Sequence, residues 1–188
     1  MHTPDVQQRL ARYAELVRSH AGRLDLVADG DLERFEQRHV ADALKALPLL
    51  DAAPDGPCID VGSGAGLPGV PLAIARPERS WRLLEPRRLR AAFLEECVRR
   101  LGLDAEVLLL TAERAAARSD LARAHAFACA RALAPPQRSA DLLRPLIAPG
   151  GLGVVFLGAG TSPPPGSEVV PEGLAIIRPA AGPEERSP

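Results

Sequence analysis

The segment 60–66 is the part of the chain whose residue types and spacing could hold a small ligand. It reads Asp-Val-Gly-Ser-Gly-Ala-Gly, with glycines at positions 62, 64 and 66. Glycine lets the backbone turn sharply after a strand and approach a ligand closely, because it has no Cβ. A helix predicted to follow would point its N-terminal amides at the same place. The segment therefore predicts a ligand-binding loop.

An acidic residue stands where it could complete this site. Glu85 lies 19 residues beyond Gly66, directly after the apolar segment 80–84, which is a predicted strand. In parallel sheets an acid at that place accepts hydrogen bonds from the ribose hydroxyls of an adenosine-containing cofactor. The loop and Glu85 together predict a site for such a cofactor.

Two cofactors fit this pattern, and the residues around the loop favour one of them. Residues 64–69 match the GxGxxG pattern of NAD-binding loops, but Pro68 removes an amide donor that a pyrophosphate would need. Asp60 suits S-adenosylmethionine, because a carboxylate at the strand tip can neutralise that cofactor's ammonium group directly or through water. We therefore predict S-adenosylmethionine, with NAD as the alternative. The glycines could also form only a tight turn, but four glycines within residues 62–69 argue against that interpretation.

Strands alternate with helices along most of the chain, and this alternation predicts how the loop is positioned. Apolar segments typical of strands cover 57–61, 80–84, 105–110, 124–130 and 152–157, with a closing hairpin at 168–170 and 174–178. Helical periodicity or helix signals mark 4–20, 31–50, 68–75, 87–101 and 136–147. The pattern predicts an α/β fold with a doubly wound, mostly parallel, Rossmann-like sheet. We expect an N-terminal helical extension over 1–50, a cofactor-binding domain over 51–178 and a disordered tail over 179–188.

The composition is that of a soluble globular protein, with 46% hydrophobic and 25% charged residues and a formal net charge of −1. Nucleic acid would therefore have to bind through a local basic patch. The three cysteines have no metal-binding spacing and predict reduced thiols in a cytoplasmic protein. We expect a monomer with no bound metal, no membrane-spanning segment and no signal peptide.

A longer stretch around the loop resembles a known family. The similar residues are 59–74 (Ile-Asp-Val-Gly-Ser-Gly-Ala-Gly-Leu-Pro-Gly-Val-Pro-Leu-Ala-Ile), with the shorter segments 38–42, 76–77, 83–85, 93–94 and 131–134. They are similar to bacterial small-subunit rRNA guanine-N7 methyltransferase G, also called glucose-inhibited division protein B. The resemblance runs from about residue 38 to 157. It is more specific than a bare glycine loop, because generic methyltransferases lack the prolines at positions 68 and 71.

This resemblance implies a fold, an activity and a set of site residues. The fold would be the seven-stranded sheet of class I S-adenosylmethionine-dependent methyltransferases, and 16S rRNA or the 30S subunit would be the partner. Guanine N7 would receive the methyl group; since N7 has a free lone pair, no general base is needed. Arg131 matches a family arginine near the methyl-transfer site, and we predict Arg131 and His39 as catalytic residues. The predicted cofactor-binding residues are Asp60, Gly62, Ser63, Gly64, Gly66, Leu67, Glu85, Pro86, Ala112, Glu113 and Arg131.

Several positions depart from the family pattern. Asp25-Leu26-Val27 stands where the family has Asn-Leu-Thr, Ala43 replaces a serine, and Leu133 replaces a phenylalanine. These departures leave two alternatives open: a small-molecule methyltransferase, and a non-catalytic relative that binds cofactor without turnover.

Some side chains have both a functional and a structural interpretation. His39 could orient a substrate or cofactor group, or it could be a hydrogen-bonded core residue. Asp42 is spaced to pair with Arg38 on a helix. Five arginines could bind phosphate or form a solvated face with Glu95 and Glu96; they are Arg87, Arg88, Arg90, Arg99 and Arg100.

Overall fold

A single seven-stranded sheet forms the centre of the molecule. The computed structural model describes residues 3–179, so the predicted tail, 179–188, lies outside the described residues apart from Pro179. The strands are β1 (Cys58–Val61), β2 (Trp81–Leu84), β3 (Ala105–Leu108), β4 (His125–Arg131), β5 (Ile147–Phe156), β6 (Glu168–Val170) and β7 (Leu174–Ile177). Their order is β3-β2-β1-β4-β5-β7-β6. The first five are parallel, and β7 is antiparallel to β5 and β6. The predicted α/β fold with a mostly parallel sheet is therefore confirmed.

Helices cover both faces of this sheet. They are α1 (Pro4–Leu24), α2 (Ala41–Leu44), α3 (Leu47–Ala52), α4 (Gly69–Ala75), α5 (Arg88–Leu101), α6 (Ala112–Ala116) and α7 (Pro136–Leu143). Short 3-10 turns occupy Asp29–Asp31 and Arg144–Leu146, and a π-helical turn occupies Glu36–Val40. Helix α1 packs on α4 and α5, whereas α7 packs on β4 and β5.

Alternate residues of each strand enter two separate apolar cores. On β1, Cys58 joins the core beneath α1 to α5, while Ile59 and Val61 join the core beneath α6 and α7. A strand buried on both faces must be apolar at successive positions. This explains why the sequence shows short apolar runs instead of a polar and apolar alternation.

The predicted helix over residues 31–50 is wrong in its continuity. The chain forms the π-helical turn and α2 up to Leu44, turns at residues 45–46, and starts α3 at Leu47. Pro48 explains the break, because it has no amide proton for an intrahelical bond and its ring would clash with the carbonyl of Leu44. In the first turn of α3 the same proline costs nothing.

The predicted helix over 136–147 is also too long. Helix α7 ends at Leu143, and a 3-10 turn containing Pro145 leads directly into β5. Strand β5 begins at Ile147, where it pairs with β4, five residues before the strand predicted at 152–157. Gly151 permits this pairing: a Cβ there would lie 2.9 Å from the carbonyl oxygen of His125.

The carboxyl ends of β1, β2 and β4 meet at one edge of the sheet. Gly62 follows β1, Glu85 follows β2, and Arg131 ends β4. Parallel topology therefore brings residues far apart in sequence to one place. Within residues 3–179, no helix is long and apolar enough to cross a membrane.

Candidate active site

The glycine loop after β1 has the backbone conformation that its residues predict. Gly62, Gly64 and Gly66 have φ angles of 75°, 56° and 96°, in the left-handed region that other residues rarely adopt. The amides of Gly62 and Ser63 donate to the carbonyl of Leu84, at 2.8 and 3.0 Å. These bonds fix the loop against the end of β2.

Glu85 is held beside this loop by backbone amides. Its side chain accepts one hydrogen bond from the amide of Gly64 at 3.0 Å and another from the amide of Arg87 at 2.8 Å. Only 4% of the residue is exposed. A carboxylate has about four lone-pair sites, so it can accept these two bonds and still accept from ligand hydroxyls. The predicted pairing of the glycine loop with Glu85 in one place is thus present.

Asp60 lies in a different environment from Glu85. It has no exposed surface, and its predicted contact with the cofactor stays a prediction. It accepts a hydrogen bond from the amide of Gly69 at 3.0 Å, at the start of α4. A Cβ on Gly69 would lie 2.7 Å from that carboxylate. Strand β1 and helix α4 can therefore approach this closely only where α4 has a glycine. Burial raises the pKa of Asp60 to about 6.

The N-terminal helix supports the loop from the other side. Tyr13 of α1 is fully buried and donates from its hydroxyl to the carbonyl of Ala65 at 2.8 Å. Its ring packs edge-on against Phe35, with centroids 5.6 Å apart, and Phe35 packs against His39 at 5.7 Å. The N-terminal helices therefore contact both the loop and a predicted catalytic residue. The sequence predicts only that Tyr13 lies within a helix over residues 4–20, and not that it contacts the loop.

A small cleft, which we call the loop cleft, opens beside the glycines. Its volume is about 260 Å³. Its lining includes residues 62–65 and Leu67 of the glycine loop, and residues 26–28 with Asp31 of the N-terminal segment. Arg90 and Arg131 also line it. The cleft thus brings five predicted cofactor residues, Gly62, Ser63, Gly64, Leu67 and Arg131, together with part of the N-terminal segment.

A larger cleft, which we call the outer cleft, adjoins the loop cleft. It has a volume of about 670 Å³, and its lining includes Arg38, Lys45 and Thr161. His39, Arg131 and Ala132 line both clefts. The two predicted catalytic residues therefore form the wall shared by two adjoining spaces.

Hydrogen bonds fix Arg131 in this shared wall. Its guanidinium donates to the carbonyl of His39 and to the carboxylate of Asp42, each at 3.2 Å, and also to Nδ1 of His39. Asp42 pairs with Lys45 as well, at 2.8 Å. The predicted pair between Asp42 and Arg38 is not formed, because Arg38 pairs with Asp31 instead.

The same bonds determine the protonation of His39. An arginine can only donate, so Nδ1 of His39 must accept and its proton must lie on Nε2. Nε2 then donates to Asp31 at 3.1 Å. Burial, followed by the charge of Arg131, lowers the pKa of His39. The imidazole is neutral with both nitrogens engaged, which suits a positioning role better than proton transfer.

Ala132 has an unusual backbone conformation at the same wall. Its φ angle is 51°, which is uncommon for a residue other than glycine. Strained backbone conformations concentrate at functional sites, where the surrounding structure holds them. Leu133 follows and packs over Gly62, so that a Cβ on Gly62 would lie 2.6 Å from Leu133 Cδ1.

Three other predicted cofactor residues, Pro86, Ala112 and Glu113, lie at the same edge of the sheet but line neither cleft. The amide of Glu85 donates to the carbonyl of Leu108 at 3.0 Å, so the ends of β2 and β3 are adjacent. Ala112 is buried at the start of α6, while Glu113 pairs with Arg138 at 2.6 Å on the surface. Pro86 is exposed next to Glu85. Their predicted contacts with the cofactor stay predictions.

The five arginines considered as a phosphate-binding patch or a solvated face do not act as one group. Arg90 lines the loop cleft and donates to the carbonyl of Asp25 at 2.6 Å, whereas Arg100 pairs with Glu96 at 2.8 Å. The structure also adds Tyr13 and Asp31, which sequence reasoning did not place at the site, and it gives Asp42 the partner Arg131. The spacing of Arg38, His39 and Asp42 signalled polar chemistry on that helix, but not which partners each residue would take. Among the residues described, no cluster of His, Cys, Asp or Glu could hold a metal ion.

Solved structures share this fold. A protein from Corynebacterium glutamicum aligns with a TM-score of 0.62 at 16% identity, covering 93% of this chain and 91% of that one. A mutant of MtNAS in complex with S-adenosylmethionine aligns with a TM-score of 0.58 at 14% identity, covering 92% of this chain and 76% of that one. At these identities the likeness concerns the fold alone: both structures share the α/β architecture of this chain.

Sequence comparison identifies the family. The family model for GidB, rRNA small subunit methyltransferase G, matches residues 6–162. A relative from Frankia casuarinae, named ribosomal RNA small subunit methyltransferase G, is 38% identical over 152 residues, which are 79% of this chain and 56% of that relative. The chain thus spans a little over half the length of this relative. It belongs to the rRNA small subunit methyltransferase G family.

Proposed function

We propose that this chain binds S-adenosylmethionine beside the glycine loop and transfers its methyl group to N7 of a guanine in 16S rRNA. One observation carries the proposal: the loop cleft and the outer cleft adjoin at a wall made by His39, Arg131 and Ala132. A methyltransferase needs a donor site and an acceptor site in contact. Membership of the family supports the identity of donor and acceptor.

The residues of the loop fit this cofactor. A Cβ on Gly64 would have only the carbonyl of Gly62 at 3.8 Å and Arg90 Nη1 at 3.9 Å as neighbours, so the backbone there is open to a ligand. Residues 62–67 would hold the cofactor, and Glu85 would accept hydrogen bonds from its ribose. When bound, S-adenosylmethionine supplies an electrophilic methyl group on a sulfonium. Ala112 and Glu113 are the proposed neighbours of the adenine.

The acceptor side suits a group that needs no proton removed. Guanine N7 already carries a free lone pair on its exposed edge, and both nitrogens of His39 are engaged. Rate enhancement then comes from holding the reacting groups in contact, a proximity effect. Arg38 and Lys45 in the outer cleft add positive charge that suits nucleic-acid phosphates, although the formal net charge of the chain is −1.

Methylation of ribosomal RNA tests the proposal. We expect the protein to transfer tritiated methyl groups from S-adenosylmethionine to 16S rRNA, as free RNA or in 30S subunits, prepared from a strain that lacks the modification. Borohydride and aniline cleavage should map the label to N7 of a guanine. Arg131→Ala should reduce the incorporation at least tenfold, since it removes a charged side chain that lines both clefts.

Two results would contradict this function. S-adenosylhomocysteine binding without label in either RNA substrate would favour a small-molecule methyltransferase or a non-catalytic relative. Label on a base atom other than N7 would retain the enzyme class and reject the specificity.

A further inference from the structure

We infer that Asp31, and not Asp60, receives the ammonium group at the amino-acid end of the cofactor. The inference rests on the proposed function, because it presumes S-adenosylmethionine in the loop cleft. It assigns a binding residue from the N-terminal segment that the sequence motifs do not include. The argument has three steps: the position of Asp31, its spare hydrogen-bonding capacity, and the charges that face it.

Asp31 lines the loop cleft together with the glycines. It ends the 3-10 turn Asp29–Asp31, where its amide donates to the carbonyl of Ala28 at 2.9 Å. Its side chain is 20% exposed and lines the same cleft as residues 62–65. Asp60 has no exposed surface, because its carboxylate is turned toward Gly69 under the loop. Without rearrangement, therefore, the carboxylate of Asp31 can touch a ligand in the cleft and that of Asp60 cannot.

The carboxylate of Asp31 is already oriented by two neighbours. Oδ1 accepts from the guanidinium of Arg38, and Oδ2 accepts from Nε2 of His39. A carboxylate has about four lone-pair sites, so at least one remains on each oxygen. An orienting shell of this kind holds an acceptor in place before the ligand arrives, which lowers the entropic cost of binding.

The charges in the loop cleft match a ligand end that carries both signs. Among the described residues lining this cleft, Asp31 alone is acidic, and it faces the guanidinium groups of Arg90 and Arg131. The end of S-adenosylmethionine has an ammonium group and a carboxylate on one carbon. Asp31 is placed for the ammonium, and the arginines are placed for the carboxylate.

Calorimetric titration with two ligands tests this assignment. The first is S-adenosylhomocysteine; the second is its deaminated analogue, 5′-S-(3-carboxypropyl)-5′-thioadenosine, which keeps the carboxylate. The wild-type protein should bind the analogue at least about tenfold more weakly than S-adenosylhomocysteine, which is the loss expected for one charge-assisted hydrogen bond. Asp31→Asn should weaken the binding of S-adenosylhomocysteine to a similar extent. Its affinity for the analogue should stay within about twofold of the wild-type value, because the analogue has no ammonium group to lose a contact.

Matched variants separate a contact with the ligand from a structural effect. Glu33→Gln removes an exposed acid from the same segment and should change neither affinity. Asp60→Asn should affect both ligands equally. If Asp31→Asn weakens both ligands equally, or if Asp60→Asn alone shows the ammonium-selective loss, the assignment is wrong although the proposed function stands. If the wild-type protein does not bind S-adenosylhomocysteine, the proposed function fails, and the assignment fails with it.

Discussion

Asp60 is the penultimate residue of β1, and Glu85 follows the last residue of the neighbouring strand β2. Their carboxylates nevertheless occupy different environments. Glu85 accepts from two backbone amides beside the glycine loop, whereas Asp60 accepts from Gly69 and has no exposed surface. The strand pattern predicts both positions, since each acid stands at the carboxyl end of an apolar run. It does not predict where Asp60 points, because that depends on how closely α4 approaches β1 through Gly69.

The buried charge of Asp60 predicts a pH-dependent effect of Asp60→Asn. Burial raises the pKa of this acid from its ordinary value of 3.8 to about 6 in the folded state, so ionisation costs stability as the pH rises through that window. Asparagine can accept from Gly69 and carries no charge. Relative to wild type, Asp60→Asn should therefore gain up to about 3 kcal/mol in free energy of unfolding between pH 4 and pH 8. Denaturant unfolding of both proteins at several pH values measures this gain.

The difference between the two proteins is the quantity to follow. His125 titrates in an overlapping range with the opposite sign, because burial lowers its pKa to about 4 and its protonation destabilises the fold as the pH falls. This contribution is common to both proteins and cancels. A difference in unfolding free energy that is the same at pH 4 and pH 8 would show that Asp60 is not a buried, ionisable acid.

The N-terminal helices are elements of the site. Periodicity predicts α1, and its apolar face predicts packing against the sheet. The contacts of Tyr13 with the glycine loop and of Asp31 with the loop cleft join residues more than 30 positions apart in the chain. No local pattern could reveal them. The broken helix around Pro48 is different: the proline was a local signal for where helical bonding stops, but the continuous helix predicted over 31–50 did not use it.

The hydrogen bond from Tyr13 to Ala65 predicts that α1 supports cofactor binding. Tyr13→Phe should lower the free energy of unfolding by about 1–2 kcal/mol, since it leaves a buried carbonyl without its donor. It should also weaken S-adenosylhomocysteine binding by about 3- to 10-fold, because the loop loses a support. Thermal unfolding and calorimetric titration measure the two effects.

Ser139→Ala provides a matched control for this variant. Ser139 is also buried and donates to a backbone carbonyl, that of Ala134, at 3.0 Å, but it lies on α7 on the other face of the sheet. It should cost a similar amount of stability and leave the affinity unchanged. If Tyr13→Phe and Ser139→Ala bind S-adenosylhomocysteine with equal affinity, Tyr13 stabilises the fold only.

At the scale of the whole molecule, the alternation of strands and helices was enough to predict the sheet. The order β3-β2-β1-β4-β5 follows from short right-handed crossovers, and the hairpin of β6 and β7 closes the sheet at β5. The two adjoining clefts were not predictable, because their walls come from the segment after α1, the 3-10 turn, β4 and the segment after β5. A monomeric state and a cytoplasmic location stay predictions.

Titration with S-adenosylhomocysteine, with NADH as the competing ligand, tests the central claim most directly. We predict one molecule of S-adenosylhomocysteine per chain, no competition by NADH, and a loss of about 1–3 kcal/mol of binding free energy in Glu85→Ala, which removes the acceptor for the ribose hydroxyls. Glu106→Gln, an exposed acid on the neighbouring strand β3, is the control and should bind as the wild type does. Binding of NADH in place of S-adenosylhomocysteine, or an unaltered affinity in Glu85→Ala, would contradict a methyl-donor site at the glycine loop.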